Sequence, residues 1–283
     1  MDIVVNFKTL DDLYFIAEIG INHNGDIGIT KKLIDASFAT SWDCVKFQKR
    51  NPDVCVPDHQ KDVMRDTPWG RMTYLEYKHK VEFGKEEYDY INDYCKEKPI
   101  DWTVSVWDID SVNFISDYDV PFIKIPSAML TNDELIEATI GTKKQIILST
   151  GMSTIEEIDH AVDVLGKSDF TLLHCNSTYP APEEDLNLNN IKMMQDKYNV
   201  PIGYSGHEQD LEACMVAVTL GTNIIERHIT LDHNMWGTDQ KSSLEVVAMD
   251  MLRKRCMEVE DMLGSYDKVV TPSEIPIRTK LRG

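Results

Sequence analysis

The sequence predicts an α/β protein folded as one (β/α)8 TIM barrel, with a short N-terminal extension and an inserted loop after the second strand. Three observations predict it. Eight short β-rich runs recur along 283 residues, mostly about 20–30 residues apart, the length of one βα unit. Stretches with helical apolar spacing lie between them. Every run finishes in polar or ionisable residues, and the carboxyl ends of barrel strands are where such a fold carries its functional groups. A doubly wound open sheet is the competing arrangement of the same elements. Residues 1–283 read as a single catalytic domain, since no internal repeat or low-complexity stretch divides them.

In chain order, the first dozen residues read as a small hairpin under the barrel. The strands are expected at 14–19, 44–48, 101–106, 122–125, 145–149, 170–175, 200–204 and 223–228, each rich in β-branched and aromatic residues. Helices are expected at 85–95, 188–197, 210–220 and 245–263 from their apolar period. Thr131-x-x-Glu134 and Ser153-x-x-Glu156 have the spacing of capping boxes, so Ser153 is assigned to capping. The stretch 49–100 is too long for one connection. It holds Pro52, Pro57, Pro68, Trp69, Tyr74 and Tyr77, and reads as a helix preceded by a loop lying over the barrel mouth. The tail beyond Leu263 reads as irregular.

A formal charge of −19 repels polyanions and excludes nucleic acid as a partner. It also means that an anionic substrate needs a locally basic pocket, which makes inward-facing lysines informative. The six cysteines form no C-x-x-C pair and read as free thiols of a reducing compartment. No basic-then-apolar leader opens the sequence, and no run reaches the ~20 apolar residues of a membrane span. A cytoplasmic protein without membrane contact is expected.

Lys46 and Gln48 lie two apart on a strand, so both face one side while Val45 and Phe47 face the other. Glu226 and His228 repeat the pattern. Charges facing a barrel interior are costly unless paired or used by a ligand; structural ion pairs are the alternative reading. His207 and His228 end adjacent strands, which lie about 4.8 Å apart. Two imidazoles there could share a divalent metal at about 2.0–2.2 Å, leaving positions open for a substrate carbonyl. Lys46 and Lys124, with Ser105, Ser127, Ser149, Ser177 and Ser205, form a second group suited to phosphate or carboxylate. Neither a P-loop nor a dinucleotide glycine fingerprint is present. His23, His59, His79, His160 and His233 read as ordinary polar residues.

Several motifs, in order, resemble the sialic acid synthase family. They are Phe15-Ile16-Ala17-Glu18-Ile19-Gly20-Ile21-Asn22-His23-Asn24-Gly25, Lys46-Phe47-Gln48, Lys124-Ile125-Pro126-Ser127 and Leu148-Ser149-Thr150-Gly151-Met152. They continue with Leu173-His174-Cys175-Asn176-Ser177-Thr178-Tyr179-Pro180, Gly203-Tyr204-Ser205-Gly206-His207, Glu226-Arg227-His228 and Trp236-Gly237-Thr238-Asp239-Gln240. The resemblance implies an enzyme that joins phosphoenolpyruvate to a small aldose of the N-acetylmannosamine type. It implies a divalent metal, manganese, on His207 and His228, and Glu18 as the group that positions or deprotonates a water. Lys46, Ser105, Lys124, Ser127, Ser149, Ser177 and Ser205 would bind phosphoenolpyruvate; Gln48, Tyr179, Glu226 and Asp239 would join Glu18 around the sugar. A homodimer is implied too. Relatives usually carry a C-terminal antifreeze-like domain, and the sequence ends without one; the segment after the second strand also departs from the pattern. Both departures fall on the sugar side. Rival readings are a synthase for legionaminic, pseudaminic or another nonulosonic acid, or for a sugar phosphate. A metal-dependent hydrolase and a non-catalytic binding protein on the same barrel are more distant ones.

Overall fold

The structure, a computed structural model, describes residues 13–282. The expected N-terminal hairpin lies outside the described residues. Eight parallel strands close into a barrel: β1 (Tyr14–Gly20), β2 (Cys44–Lys49), β5 (Asp101–Val106), β6 (Phe122–Ile125), β7 (Gln145–Ser149), β8 (Phe170–Cys175), β9 (Ile202–Gly206) and β10 (Ile224–His228). β10 pairs with β1, which pairs with β2, so the first and last strands shut the ring. The helices between them are α1 (Ile27–Ala39), α5 (Lys85–Glu97), α6 (Ile109–Ser116), α7 (Asp133–Gly141), α8 (Ile155–Leu165), α9 (Asn189–Lys197), α10 (Glu212–Thr219) and α11 (Val246–Leu263).

Strand alternation sorts the residues into two cores. Phe15, Ala17, Val45, Phe47, Ile123, Ile146 and Leu148 face outward and pack with the helices. Tyr14, Ile16, Cys44, Phe122, Ile147, Leu173 and Ile224 point inward and form an apolar floor inside the barrel. The floor is packed so closely that β9 contributes Gly203: a Cβ there would lie 2.5 Å from Leu173 Cδ2 and 2.9 Å from the Ile224 backbone oxygen. All polar chemistry is thereby displaced to the upper half of the barrel.

The structure departs from the sequence reading in five places. Residues 49–100 are not a loop plus one helix. They hold α2 (Pro52–Cys55), α3 (Asp58–Lys61), an antiparallel hairpin of β3 (Met64–Thr67) and β4 (Gly70–Thr73), and α4 (Tyr74–Val81), before α5. Four-residue elements give no readable period, but α4 announces itself by a capping box of Thr73 and Glu76. The hairpin tip does lie over the mouth, where Trp69 and Tyr77 meet Trp236 at ring distances of 5.6 and 5.0 Å. β9 begins two residues late because Pro201 has no N–H to donate, although its carbonyl accepts from Leu172 N at 3.1 Å. The cap of α7 is Asn132, not Thr131. The capping box of α8 is Thr154 with Glu157, one residue beyond the pair expected, while the Ser153 hydroxyl donates to Gly151 O at 3.1 Å. The tail contains α12 (Glu274–Arg282), whose Pro276 falls in the first turn, where no N–H is needed. All six cysteines are free. No helix among the described residues is long and apolar enough to cross a membrane.

Candidate active site

Above the apolar floor the inward positions turn polar in one step. Register sets Glu18 of β1 beside Lys46 of β2 and His228 of β10, Ser105 of β5 beside Gln48 and Lys124, and Ser205 of β9 beside Cys175 and Glu226. Lys46 makes an ion pair with Glu18 and lies 3.7 Å from Glu226 Oε2. Lys124 Nζ meets Glu226 Oε1 at 3.1 Å, and the Ser205 hydroxyl donates to the same oxygen at 3.0 Å. Gln48 Nε2 donates to Glu18 Oε1 at 3.3 Å. Both lysines and both glutamates are at most 5% exposed at the side chain, so the site is a closed set of two cations and two anions.

Charge and burial drive the two carboxyls apart. For Glu226, burial favours the neutral acid, but Lys124 and Lys46 outweigh it and bring the pKa down to about 2. For Glu18, burial and the neighbouring Glu226 charge outweigh Lys46, so its pKa rises. Glu226 therefore stays ionised as the anchor of the lysines, while Glu18 is the carboxyl able to take up a proton. Burial, aided by repulsion from Lys46, holds the Lys124 ammonium below its ordinary value.

The two histidines face each other at the rim with ring centroids 5.5 Å apart. His207 Nδ1 is 2.5 Å from the Asn176 carbonyl, a hydrogen bond that makes this nitrogen the donor and leaves Nε2 with its lone pair, directed at the Tyr179 hydroxyl 2.9 Å away. Burial drives the His228 pKa down to about 3, so its imidazole is neutral, and its Nδ1 is buried with no hydrogen-bond partner. At His207, burial is outweighed by Cys175 and by the hydrogen bond to the Asn176 carbonyl, which raise its pKa; with the neutral His228 and its unsatisfied buried nitrogen beside it, the imidazole pair fits a divalent cation. Among the described residues no cluster of three His, Cys, Asp or Glu forms a ligand set, so such an ion would keep positions open for substrate.

These groups line one cavity of about 160 Å³. It gathers Glu18, Lys46, Gln48, Ser105, Lys124, Ser127, Ser149, Ser177, Tyr179, Ser205, His207, Glu226 and His228. Ser149 Oγ is buried without a partner, and Ser127 Oγ accepts from Gly151 N at 3.0 Å. Gly151 is required here: a Cβ would come within 2.9 Å of Ser127 Oγ and 3.2 Å of Cys175 Sγ. Asp239 does not line the cavity; its carboxylate accepts from Thr238 at 2.7 Å, although its charge reaches His228 and Tyr179. Glu226, expected near the sugar, sits with the lysines instead, because residue 226 lies one inward position deeper than His228. His23 is buried, stacks on Phe83 at 4.0 Å and accepts from Gly25 N, a structural role. Sequence reasoning missed Trp107, Pro126, Ala128, Met152 and Cys175 in the wall. It also missed Arg50, which donates to Gln48 and stacks on Trp107 at 3.9 Å. Counting on by twos from Gln48 and Ser105 reaches Arg50 and Trp107, so the signal was there.

Relatives named as synthases place this barrel among the enzymes that condense phosphoenolpyruvate with a sugar. Within that class the chain belongs to the NeuB family, whose model matches residues 33–268. It is 38% identical to the N-acetylneuraminate-9-phosphate synthase of Drosophila melanogaster, across 98% of this chain and 82% of that protein. It is 34% identical to the N,N'-diacetyllegionaminic acid synthase of Campylobacter jejuni, across 92% of this chain and 80% of the relative. Among solved structures, the N-acetylneuraminic acid (sialic acid) synthetase of Leptospira borgpetersenii superposes with a TM-score of 0.86 at 31% identity, covering 96% of this chain and 93% of the other.

Proposed function

We propose that the chain condenses phosphoenolpyruvate with an N-acetylmannosamine-type aldose, in the presence of a divalent metal such as manganese, to give a sialic-acid-like 2-keto-3-deoxy nonulosonic acid and phosphate. One observation carries the reading: Lys46 and Lys124 share one cavity with the hydroxyls of Ser127, Ser149, Ser177 and Ser205 and with His207 and His228. Held by His207 and His228, the metal would supply Lewis-acid polarisation of the aldehyde.

The protein groups do the rest. Lys46 and Lys124 hold the phosphate and carboxylate of phosphoenolpyruvate through preorganised charge. Their counter-ion Glu226 keeps both protonated until the substrate arrives. Carbon 3 of phosphoenolpyruvate attacks the aldehyde carbon, and a water adds at carbon 2. Glu18, the carboxyl with the raised pKa, accepts that water's proton. The C2–O bond to phosphate then breaks, phosphate leaves, and the 2-keto group remains. The apolar floor under Glu18 and Lys46 keeps bulk water out from below.

The test is phosphate release with added Mn2+ and a panel of aldoses. Release only when both substrates are present supports condensation; release from phosphoenolpyruvate alone would refute it. The legionaminic acid synthase relative favours including 2,4-diacetamido sugars, and a preference for them would move the acceptor assignment.

A further inference from the structure

The histidine pair is capped by a side chain that the proposed reaction leaves without a task. Tyr179 lies on the segment between β8 and α9. Its hydroxyl meets His207 Nε2 at 2.9 Å. Its ring lies 4.1 Å from the His207 ring and stands edge-on to His228 at 5.6 Å. The two imidazoles are themselves only 5.5 Å apart, so one tyrosine covers both.

The chain builds this cap in. Before Tyr179, the Asn176 carbonyl accepts from His207 Nδ1 at 2.5 Å; after it, Ala181 N donates to the His207 carbonyl at 3.1 Å. Asn176 steadies the stretch further, accepting from Thr178 N at 2.9 Å and donating to Asp185 O at 3.1 Å. The backbone on both sides of the tyrosine is thus tied to His207, which delivers the phenol to that ring. The side chain itself is 45% exposed, so rotation toward solvent takes it off the histidines without moving the backbone.

A metal ion takes an imidazole through a nitrogen lone pair. With His207 Nδ1 committed to Asn176, that nitrogen is Nε2, where the phenol now sits. Phenol and ion compete for one atom. We infer that Tyr179 is a gate on the metal site: turned in, it satisfies His207 and keeps the ion out; turned out, it opens the pair. The inference rests on the metal reading above and adds a coupling to it. Apparent metal affinity is the intrinsic affinity scaled by the fraction of molecules with the phenol turned out. Any occupant of the cavity that holds the phenol outward strengthens metal binding by the same factor as the metal strengthens its own.

The experiment titrates the full chain with Mn2+ in the absence of substrates, counting the free ion by electron paramagnetic resonance. Tyr179→Phe keeps the ring and removes the competing hydroxyl. The expected Mn2+ Kd is roughly 2- to 10-fold lower in this variant, the equilibrium shift of one net hydrogen bond. In the wild-type protein, Mn2+ should also produce a tyrosine band in the ultraviolet difference spectrum as the ring leaves the imidazole, and Tyr179→Phe should lack it. An unchanged or higher Kd in folded Tyr179→Phe overturns the gate while leaving the metal site in place; a phenol that merely braced the fold, or that ligated the ion, would give that result. Should the variant not fold, the wild-type spectrum decides, and saturation with Mn2+ without a tyrosine band overturns the gate. Mn2+ that binds His207→Ala as well as wild type shows that the metal assignment itself is wrong, and the gate falls with it.

Discussion

Glu208→Gln is the substitution whose cost can be worked out from the structure. Arg227 lies between Glu226 and His228 on β10 but points outward, and it is fully buried. Its Nη1 meets Glu208 Oε1 at 2.8 Å and Asp210 O at 3.0 Å, and its Nη2 donates to Glu208 O. The Tyr204 hydroxyl donates to the other Glu208 oxygen at 2.8 Å. Glutamine would keep the shape and remove the charge, leaving a guanidinium in the core without a counter-ion. Losing one partner of such a pair costs about 3–5 kcal/mol. At about 1.7 °C per kcal/mol for a chain of 283 residues, that is a fall in melting midpoint of roughly 5–8 °C. Thermal unfolding followed by circular dichroism measures it. The double variant Arg227→Met/Glu208→Leu should recover much of the loss, since an apolar pair leaves no stranded charge. A single-variant shift below about 2 °C, or a double variant no better than the single, would refute the reasoning. Because Glu208 follows His207 and Arg227 precedes His228, Mn2+ affinity should weaken along with stability.

Other consequences follow from the same geometry. Lys124→Met removes one of the two cavity lysines that the proposed reaction sets against phosphoenolpyruvate, and should raise the KM for phosphoenolpyruvate far more than that for the sugar; steady-state kinetics in both substrates will show the split. Glu18→Gln should bind both substrates yet lower kcat by about 10²–10⁴, the usual worth of a proton-transfer group; unchanged kcat removes Glu18 from the mechanism. Gly203→Ala forces a methyl against Leu173 and the Ile224 backbone and should destabilise by about 1–3 kcal/mol in urea unfolding. Burial lowers the His23 pKa to about 3 from 6.5. The unfolded chain thus binds the extra proton between these values, so stability is whole above about pH 6.5 and declines as the pH falls toward 3. His23→Phe should reduce that slope by about 1.4 kcal/mol per pH unit, read from denaturant midpoints across pH 4–7.

Barrel topology was legible because β-rich runs such as 14–19 and 44–48 recur at the spacing of βα units, with period two visible in 44–48 and a 3.6 period in the stretches between. The same period two exposed Lys46 with Gln48 and Glu226 with His228, since inward charge is conspicuous in an apolar strand. What stayed hidden was either too short to show a period, as in α2, α3 and the β3–β4 hairpin, or decided by contacts distant in sequence. Thr154 and Ser153 both have a glutamate three residues on, and only the backbone geometry selects Thr154. The depth of Glu226 could not be read either, because its place beside the lysines depends on how β10 closes against β9 and β1. Arg50 lies one residue beyond the end of β2, where strand alternation is no longer guaranteed.

A crystal structure of the chain soaked with phosphoenolpyruvate and Mn2+ tests the central claim most directly. The account predicts manganese bound by His207 and His228, and phosphoenolpyruvate beneath it with its anionic oxygens on Lys46 and Lys124. Manganese bound without either histidine, or phosphoenolpyruvate seated away from both lysines, would contradict it.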